Sequence, residues 1–107
     1  TLIGKNCVIA HGTKIGHGAI VGEMVHMANN VSLAGNTKIN SRTYLGSGAV
    51  VPSNVTIPAN SIVGAGAVVN KNYKEEFCTF VGVPAKILYN KNYNKKGSGT
   101  PIPYKNN

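Results

Sequence analysis

The chain has 107 residues, enough for one domain with a continuous core. Eleven Lys and Arg side chains against three Glu give a formal net charge of +8, and seven of these cations follow residue 70. Such an excess suggests an anionic partner: nucleic acid, a membrane surface or a phosphate-bearing small molecule. Two distant cysteines exclude a disulfide framework, and no stretch is apolar enough to span a membrane. A reducing, cytoplasmic setting is therefore expected.

A six-residue repeat begins at Ile3 and runs through twelve hexads without an insertion. Each hexad starts with an apolar residue, its second residue is small or turn-forming, and its fifth is usually compact. The first residues are Ile3, Ile9, Ile15, Val21, Met27, Leu33, Ile39, Leu45, Val51, Ile57, Val63 and Val69. This period fits short strands joined by tight corners, which include the small or turn-forming second residue and the third residue of each hexad. Three sides close a triangular coil of eighteen residues, so the sequence predicts an all-β parallel solenoid of about four coils over residues 1–74.

The hexads stop after residue 74. Residues 75–89 are expected to form a C-terminal cap segment, in which "CTFVGVPAKIL" is a short extended segment followed by a helical turn. Residues 90–107 are polar and interrupted by Gly and Pro, which predicts a flexible tail. At the other end no capping element precedes the first hexad, although terminal repeats normally need one. We therefore expect this chain to lack an N-terminal portion of a longer protein.

The repeat predicts where the histidines lie relative to one another. His17 and His26 are nine residues apart, which is half the circumference of a coil, so they cannot meet within one subunit. Around a three-fold axis, however, one subunit's His17 could face its neighbour's His26. Both occupy outward positions of their hexads, so solvated surface histidines are an equally weighted alternative. His11, one hexad before His17, is expected to be such a bystander.

One corner of the predicted solenoid is almost free of side chains. Steps of eighteen residues align His11, Asn29, Ser47 and Ala65 there, within the segments "LGSGAV" and "VGAGAV". A smooth stripe of this kind lets an extended ligand contact the backbone directly, with His26 beside its upper end. Glycine also suits tight corners, so the stripe alone is weak evidence for a ligand.

The segments "IGHGAIVGEMVHMANNVSLAGN", "TYLGSGAVVPSNVTIP", "SIVGAGAVV" and "FVGVPAKIL" give residues 3–88 a specific resemblance. The chain resembles the hexapeptide-repeat acyltransferases, in particular the sialic-acid O-acetyltransferase-like group and the UDP-amino-sugar N-acetyltransferases. That resemblance implies a left-handed parallel β-helix, although parallel crossovers are generally right-handed. It also implies acetyl-CoA as co-substrate, a sugar or nucleotide-sugar acceptor and a homotrimer. A metal, nucleic acid or membrane partner is not expected.

The resemblance also implies roles for individual residues. His17 matches the family's general base, and His26 matches a histidine that contacts the acetyl thioester. Ser47 and Ala65 fall where the family places coenzyme A along the coils, and Gly35 is implied to be a backbone donor near the reacting carbonyl. The remaining cofactor-binding residues lie at the C-terminal end: Gly82 and Lys86, in a segment that closes over the far end of the cofactor, where basic side chains suit its phosphates.

Two departures from the family bear on this interpretation. The family often has an acidic residue beside the catalytic histidine, but Gly16 and Gly18 flank His17 here. A backbone carbonyl could orient the imidazole instead. The family's amino-sugar enzymes also hold the nucleotide in an N-terminal domain that this chain does not contain, so its sequence does not identify the acceptor.

Several other functions share the predicted fold. Zinc-dependent carbonic anhydrases need three converging histidines that include a close pair, which the positions 11, 17 and 26 do not supply. Ice binding needs regular ranks of threonine, whereas the threonines here are scattered. The cations are concentrated in the tail and lack an aromatic platform, so CoA phosphates explain them better than nucleic acid does. A non-catalytic trimeric scaffold, as a fragment of a larger acyltransferase, remains the open alternative.

Overall fold

The computed structural model describes residues 1–90, which form thirteen short strands and no helix. The strands are β1 (Leu2–Ile3), β2 (Val8–Ile9), β3 (Lys14–Ile15), β4 (Ile20–Val21), β5 (His26–Met27), β6 (Ser32–Leu33), β7 (Lys38–Ile39), β8 (Tyr44–Leu45), β9 (Val50–Val51), β10 (Thr56–Ile57), β11 (Ile62–Val63), β12 (Cys78–Val81) and β13 (Lys86–Asn90). The first eleven strands recur every six residues, in agreement with the hexads. This part of the chain therefore has no helix that could cross a membrane.

The strands stack into three parallel sheets, one for each side of a triangular prism. Sheet 1 contains β1, β4, β7 and β10, sheet 2 contains β2, β5, β8 and β11, and sheet 3 contains β3, β6 and β9. Leu2 pairs with Ile20 and Val8 pairs with His26, so each ladder advances by eighteen residues per coil. The predicted coil length is confirmed, and the fold is a left-handed parallel β-helix of about four coils.

The core is a column of inward side chains, two from each hexad. From Val21 to Val69, the first residue of every hexad is at most 3% exposed, and the fifth residues from Ala19 to Ala67 are at most 7% exposed. Burial of each aliphatic side chain in this column stabilises the fold by roughly 1.5–3 kcal/mol. In the first coil, Ile3 and Ile9 occupy the same inward positions but are 47% and 38% exposed, because they lie at the end of the described prism.

The corners turn at the third and fourth residues of the hexads, not at the second. The fourth residue has a left-handed backbone, with φ of 76° at Gly18 and 60° at Asn36. The second residue is small for another reason: a Cβ at Gly16 would lie 2.7 Å from the carbonyl carbon of Ala34 in the next coil. The small second residues therefore reflect the close approach of successive coils, which corrects the interpretation that they form the turns.

A β-hairpin closes the C-terminal end of the prism. β12 continues sheet 2 in parallel with β11, and β13 returns antiparallel to β12. The ring of Phe80 is fully buried, with its centroid 4.7 Å from that of Tyr73. The predicted extended segment is confirmed at its two ends, but residues 82–85 form a turn between them. The helical turn predicted after Leu88 does not begin at Tyr89 or Asn90, because these residues belong to β13 and pair with β12. Of the predicted tail, residues 91–107 lie outside the described residues.

Candidate functional site

The three long edges of the prism differ in the side chains they carry. Each edge is a column of corner residues, one from each coil. Edge 1 contains Lys5, Glu23, Ser41 and Ala59; edge 2 contains His11, Asn29, Ser47 and Ala65; edge 3 contains His17, Gly35, Ser53 and Lys71. Backbone hydrogen bonds connect the coils along each edge, for example from Gly48 N to Asn29 O (2.9 Å) and from Asn36 N to His17 O (2.8 Å).

His17 and His26 lie on opposite sides of the prism. His17 is exposed in the turn between β3 of sheet 3 and β4 of sheet 1. His26 is half-buried at the start of β5, in sheet 2, which is the side facing away from edge 3. The prediction that the two imidazoles cannot meet within one chain is confirmed by this placement. The side chain of His11 is exposed on edge 2.

Edge 2 is bare in its last two coils, where Ser47 and Ala65 lie; the C-terminal end of the prism is called its lower end from here on. Among the described residues, an added Cβ at Gly66 would meet no heavy atom within 4 Å, and one at Gly48 would meet only Gly66, at 3.9 Å. In the first coil of the same edge, a Cβ at Gly12 would instead overlap the Oδ1 of Asn30. The smooth stripe expected from the sequence therefore begins below Asn30, where the backbone borders free space.

The segment from Gly82 to Lys86 lies at the lower end of this bare stretch. Val68 N donates to Gly82 O (3.0 Å) and Ala85 N donates to Val68 O (2.8 Å), so the turn docks on the strand position that follows edge 2. Gly82 is exposed with φ of 96°, a conformation that favours glycine. Lys86 is exposed and pairs with Val81 in the hairpin. The hairpin thus brings both predicted residues close to the base of edge 2.

Gly35 stacks directly below His17 on edge 3. A Cβ at Gly35 would lie 3.4 Å from the carbonyl oxygen of His17. Within residues 1–90 the amide N–H of Gly35 makes no hydrogen bond, so it is free to act as a donor. The amides of His11 and Ser47, at equivalent corner positions, are equally free. The stacking predicted for Gly35 is confirmed, whereas its role as a donor stays a prediction.

Tyr44, which lies next to His26 in sheet 2, is a residue that sequence reasoning missed. It follows His26 by one coil in sheet 2, and the ring centroids of the two side chains are 5.1 Å apart at an interplanar angle of 59°. The signal that could have found it is the eighteen-residue step, applied to the strands as well as to the corners.

Two of the described carboxylates, those of Glu23 and Glu76, lie at edge 1. Glu23 lies on this edge, and Glu76 Oε1 accepts from Asn60 Nδ2 (3.0 Å), whose Oδ1 in turn accepts from Arg42 Nε (2.7 Å). The third acid, Glu75, directly precedes Glu76. Among the described corner residues, edges 2 and 3 carry no acidic side chain. Within the described part of one chain, no group of three His, Cys, Asp or Glu side chains could hold a metal ion.

Comparison with solved structures identifies the relatives of this fold. A scan of protein-family models and a search of curated proteins gave no match. The perosamine N-acetyltransferase PerB from Caulobacter crescentus, solved in complex with CoA and GDP-perosamine, matches with a TM-score of 0.63 and 26% identity over 81% of this chain. A serine O-acetyltransferase from Brucella melitensis matches 74% of the chain with a TM-score of 0.58 and 25% identity. The chain has the fold of the hexapeptide-repeat transferases.

A hexapeptide transferase family protein from Anaplasma phagocytophilum covers 82% of this chain with a TM-score of 0.62, and at 21% identity it shows the fold alone. The chain spans 57% of the length of PerB, 39% of the Brucella enzyme and 66% of the Anaplasma protein. The hexapeptide-repeat resemblance predicted from the sequence motifs is thus confirmed, while the roles of individual site residues stay predictions.

Proposed function

We propose that this chain is the acetyl-CoA-binding β-helix of an acetyltransferase that acetylates a hydroxyl or amine of a sugar or nucleotide-sugar. The observation that carries the proposal is the bare lower half of edge 2, which ends at the Gly82–Ala85 turn. An extended thioester could lie against this backbone with its acetyl end near His26. The similarity to PerB, whose structure contains CoA and GDP-perosamine, supports both the cofactor and the class of acceptor.

The distribution of charge supports an anionic ligand at this end of the prism. Glu23 lies on edge 1 and Glu76 accepts a hydrogen bond from Asn60 of the same edge, so both carboxylates lie at a different edge from the bare stretch. Lys86 is exposed near the base of edge 2. Cationic donors bind phosphate oxygens through charge-assisted hydrogen bonds, and none of the described corner residues of edge 2 is a carboxylate that would repel an anion. We assign Gly82 and Lys86 to the phosphate-bearing end of CoA.

The proposed reaction takes place between two copies of the chain. Because His17 and His26 face opposite sides of one prism, a complete site needs edge 3 of one subunit next to edge 2 of its neighbour. A homotrimer with three equivalent clefts satisfies this condition. Residues 1–74 supply both sides of the cleft, and residues 75–89 close its lower end. We place this activity in the cytoplasm, as the composition suggests.

Within the cleft, neutral His17 takes the proton of the acceptor's hydroxyl or amine while the acceptor's oxygen or nitrogen bonds to the thioester carbon. The carbon–sulfur bond then breaks, and the proton held by His17 passes to the departing thiolate of CoA. His26 or the free N–H of Gly35 donates to the carbonyl oxygen as negative charge develops there. General-base catalysis of this kind contributes about 10²–10⁴-fold, and the positioning of both substrates contributes at least as much.

Calorimetric titration of the full chain with acetyl-CoA, together with its mass in solution, tests the proposal. We expect a trimer that binds acetyl-CoA in the micromolar range. His26→Ala should weaken binding roughly 5- to 100-fold, the cost of a lost hydrogen bond in a desolvated site. His11→Ala, the matched loss of an exposed histidine, should bind within about twofold of the unmodified chain.

A well-folded trimer that does not bind acetyl-CoA would refute this function and leave the non-catalytic scaffold as the better account. If acetyl-CoA binds, amino-sugar and nucleotide-sugar acceptors can be screened for acetyl transfer, with His17→Ala as the control. That variant should retain acetyl-CoA affinity and lose turnover by about 10²–10⁴-fold. Equal turnover by His17→Ala would contradict the assigned role of the general base.

A further inference from the structure

His26 rests on an aromatic ring from the next coil. His26 and Tyr44 are direct ladder partners in sheet 2, and each is the first, outward-facing residue of its strand. Their ring centroids are 5.1 Å apart, and the rings are tilted by 59°. This separation and angle are those of a favourable aromatic pair. The imidazole of His26 therefore has a defined neighbour on its C-terminal side.

Tyr44 is itself supported from below, whereas little covers His26 from above. Tyr44 packs with Ile62, which is 9% exposed, in a small cluster that also includes Phe77. On the opposite side of His26, its ladder partner Val8 is 53% exposed. Packing among the outward side chains of sheet 2 therefore extends from the C-terminal hairpin to Tyr44. The Tyr44 ring is the last packed ring before His26.

We infer that Tyr44 is a positioning residue for His26, acting through the aromatic contact and not through direct contact with the substrate. This inference rests on the proposed function. The tilted Tyr44 ring restricts the orientations of the imidazole, so less conformational freedom is lost when His26 engages the thioester. Within residues 1–90 the hydroxyl of Tyr44 makes no hydrogen bond, so the ring is the part of the side chain that matters.

A double-mutant cycle tests this assignment. Acetyl-CoA affinity of the full chain would be measured for Tyr44→Leu and Tyr44→Phe, each alone and combined with His26→Ala. Tyr44→Leu retains apolar packing on Ile62 but removes the ring, and it should weaken binding roughly 3- to 10-fold. In the His26→Ala background the same change should have less than about a twofold effect, because the residue through which Tyr44 acts is gone. Tyr44→Phe should match the unmodified chain.

A second readout does not depend on acetyl-CoA. In an NMR spectrum of the free chain, the imidazole carbon-bound protons of His26 should shift on Tyr44→Leu, as the ring current is lost, and stay nearly unchanged on Tyr44→Phe. The His11 and His17 signals serve as internal controls, since a global change of fold would move them too. Unchanged His26 signals in Tyr44→Leu would overturn the contact itself.

The outcomes separate this inference from the proposed function. If the unmodified chain does not bind acetyl-CoA, the proposed function fails and the inference with it. If acetyl-CoA binds and His26→Ala weakens it, the function stands, and Tyr44 is then judged alone. An equal loss for Tyr44→Leu in both backgrounds, or no loss in either, would show that Tyr44 does not act through His26.

Discussion

Gly18, directly after His17, is a corner where an added methyl group has two predicted costs. Its φ is 76°, and a left-handed conformation costs alanine about 1–2 kcal/mol. A Cβ there would also overlap the Oδ1 of Asn36, so this exposed carboxamide must rotate away at a further cost of about 0.5–1.5 kcal/mol. Gly18→Ala should therefore destabilise the fold by about 1.5–3.5 kcal/mol. Gly66→Ala, with φ of 70° and free space around the Cβ, should incur only the first contribution.

Thermal and urea unfolding of the full chain, followed by circular dichroism, can compare the two variants. For a domain of this size each kcal/mol lowers Tm by about 4–8 °C. The double variant Gly18→Ala with Asn36→Ala should recover most of the difference between Gly18→Ala and Gly66→Ala. Equal melting of the two single variants would refute the overlap argument.

Two further substitutions test the bare edge and the C-terminal closure. Gly66→Ala should weaken acetyl-CoA binding roughly 10-fold or more, because its methyl group enters the space assigned to the cofactor. Gly12→Ala is the control on the same edge, because the Asn30 side chain already covers that position. It should leave affinity nearly unchanged when measured below its melting temperature. Equal affinities of Gly66→Ala, Gly12→Ala and the unmodified chain would count against a ligand on edge 2. Phe80→Ala should lower the free energy of unfolding by about 3–5 kcal/mol. The half-buried Phe77, changed in the same way, should lower it by less, and an equal loss would contradict the central role of Phe80 in closing the prism.

The solenoid could be predicted because every hexad must bury the same two positions, its first and fifth residues. An aliphatic first residue and a compact fifth residue recur without insertion, so counting residues was enough to give the register of every ladder from Leu2 to Val63. The same counting placed His17 and His26 on opposite sides of the prism. A single inserted residue between them would have shifted that relation, and its absence made the inference possible.

The features that sequence reasoning missed do not follow a visible six-residue pattern. The left-handed corner position holds Asn and Gly in most hexads, but Met24 and Arg42 also adopt it, which conceals the rule. The C-terminal hairpin has no repeat, so its second strand depends on pairing with β12 that only the tertiary structure provides. Tyr44 is eighteen residues from His26, and its importance emerges only when the outward positions are compared along a sheet.

In a β-helix the buried side chains repeat from coil to coil. Function must therefore come from differences among the columns of outward side chains. Edge 1 carries an Arg42–Asn60–Glu76 hydrogen-bond chain that connects two coils to the C-terminal cap. Edge 2 is open from Ser47 downward, and edge 3 presents His17. No rotation of one prism brings the last two together, because they are separate corners of the same triangle. A second copy of the chain can do so without any conformational change. For this reason the oligomeric state and acetyl-CoA binding are expected to be linked properties, and they are best measured on the same sample.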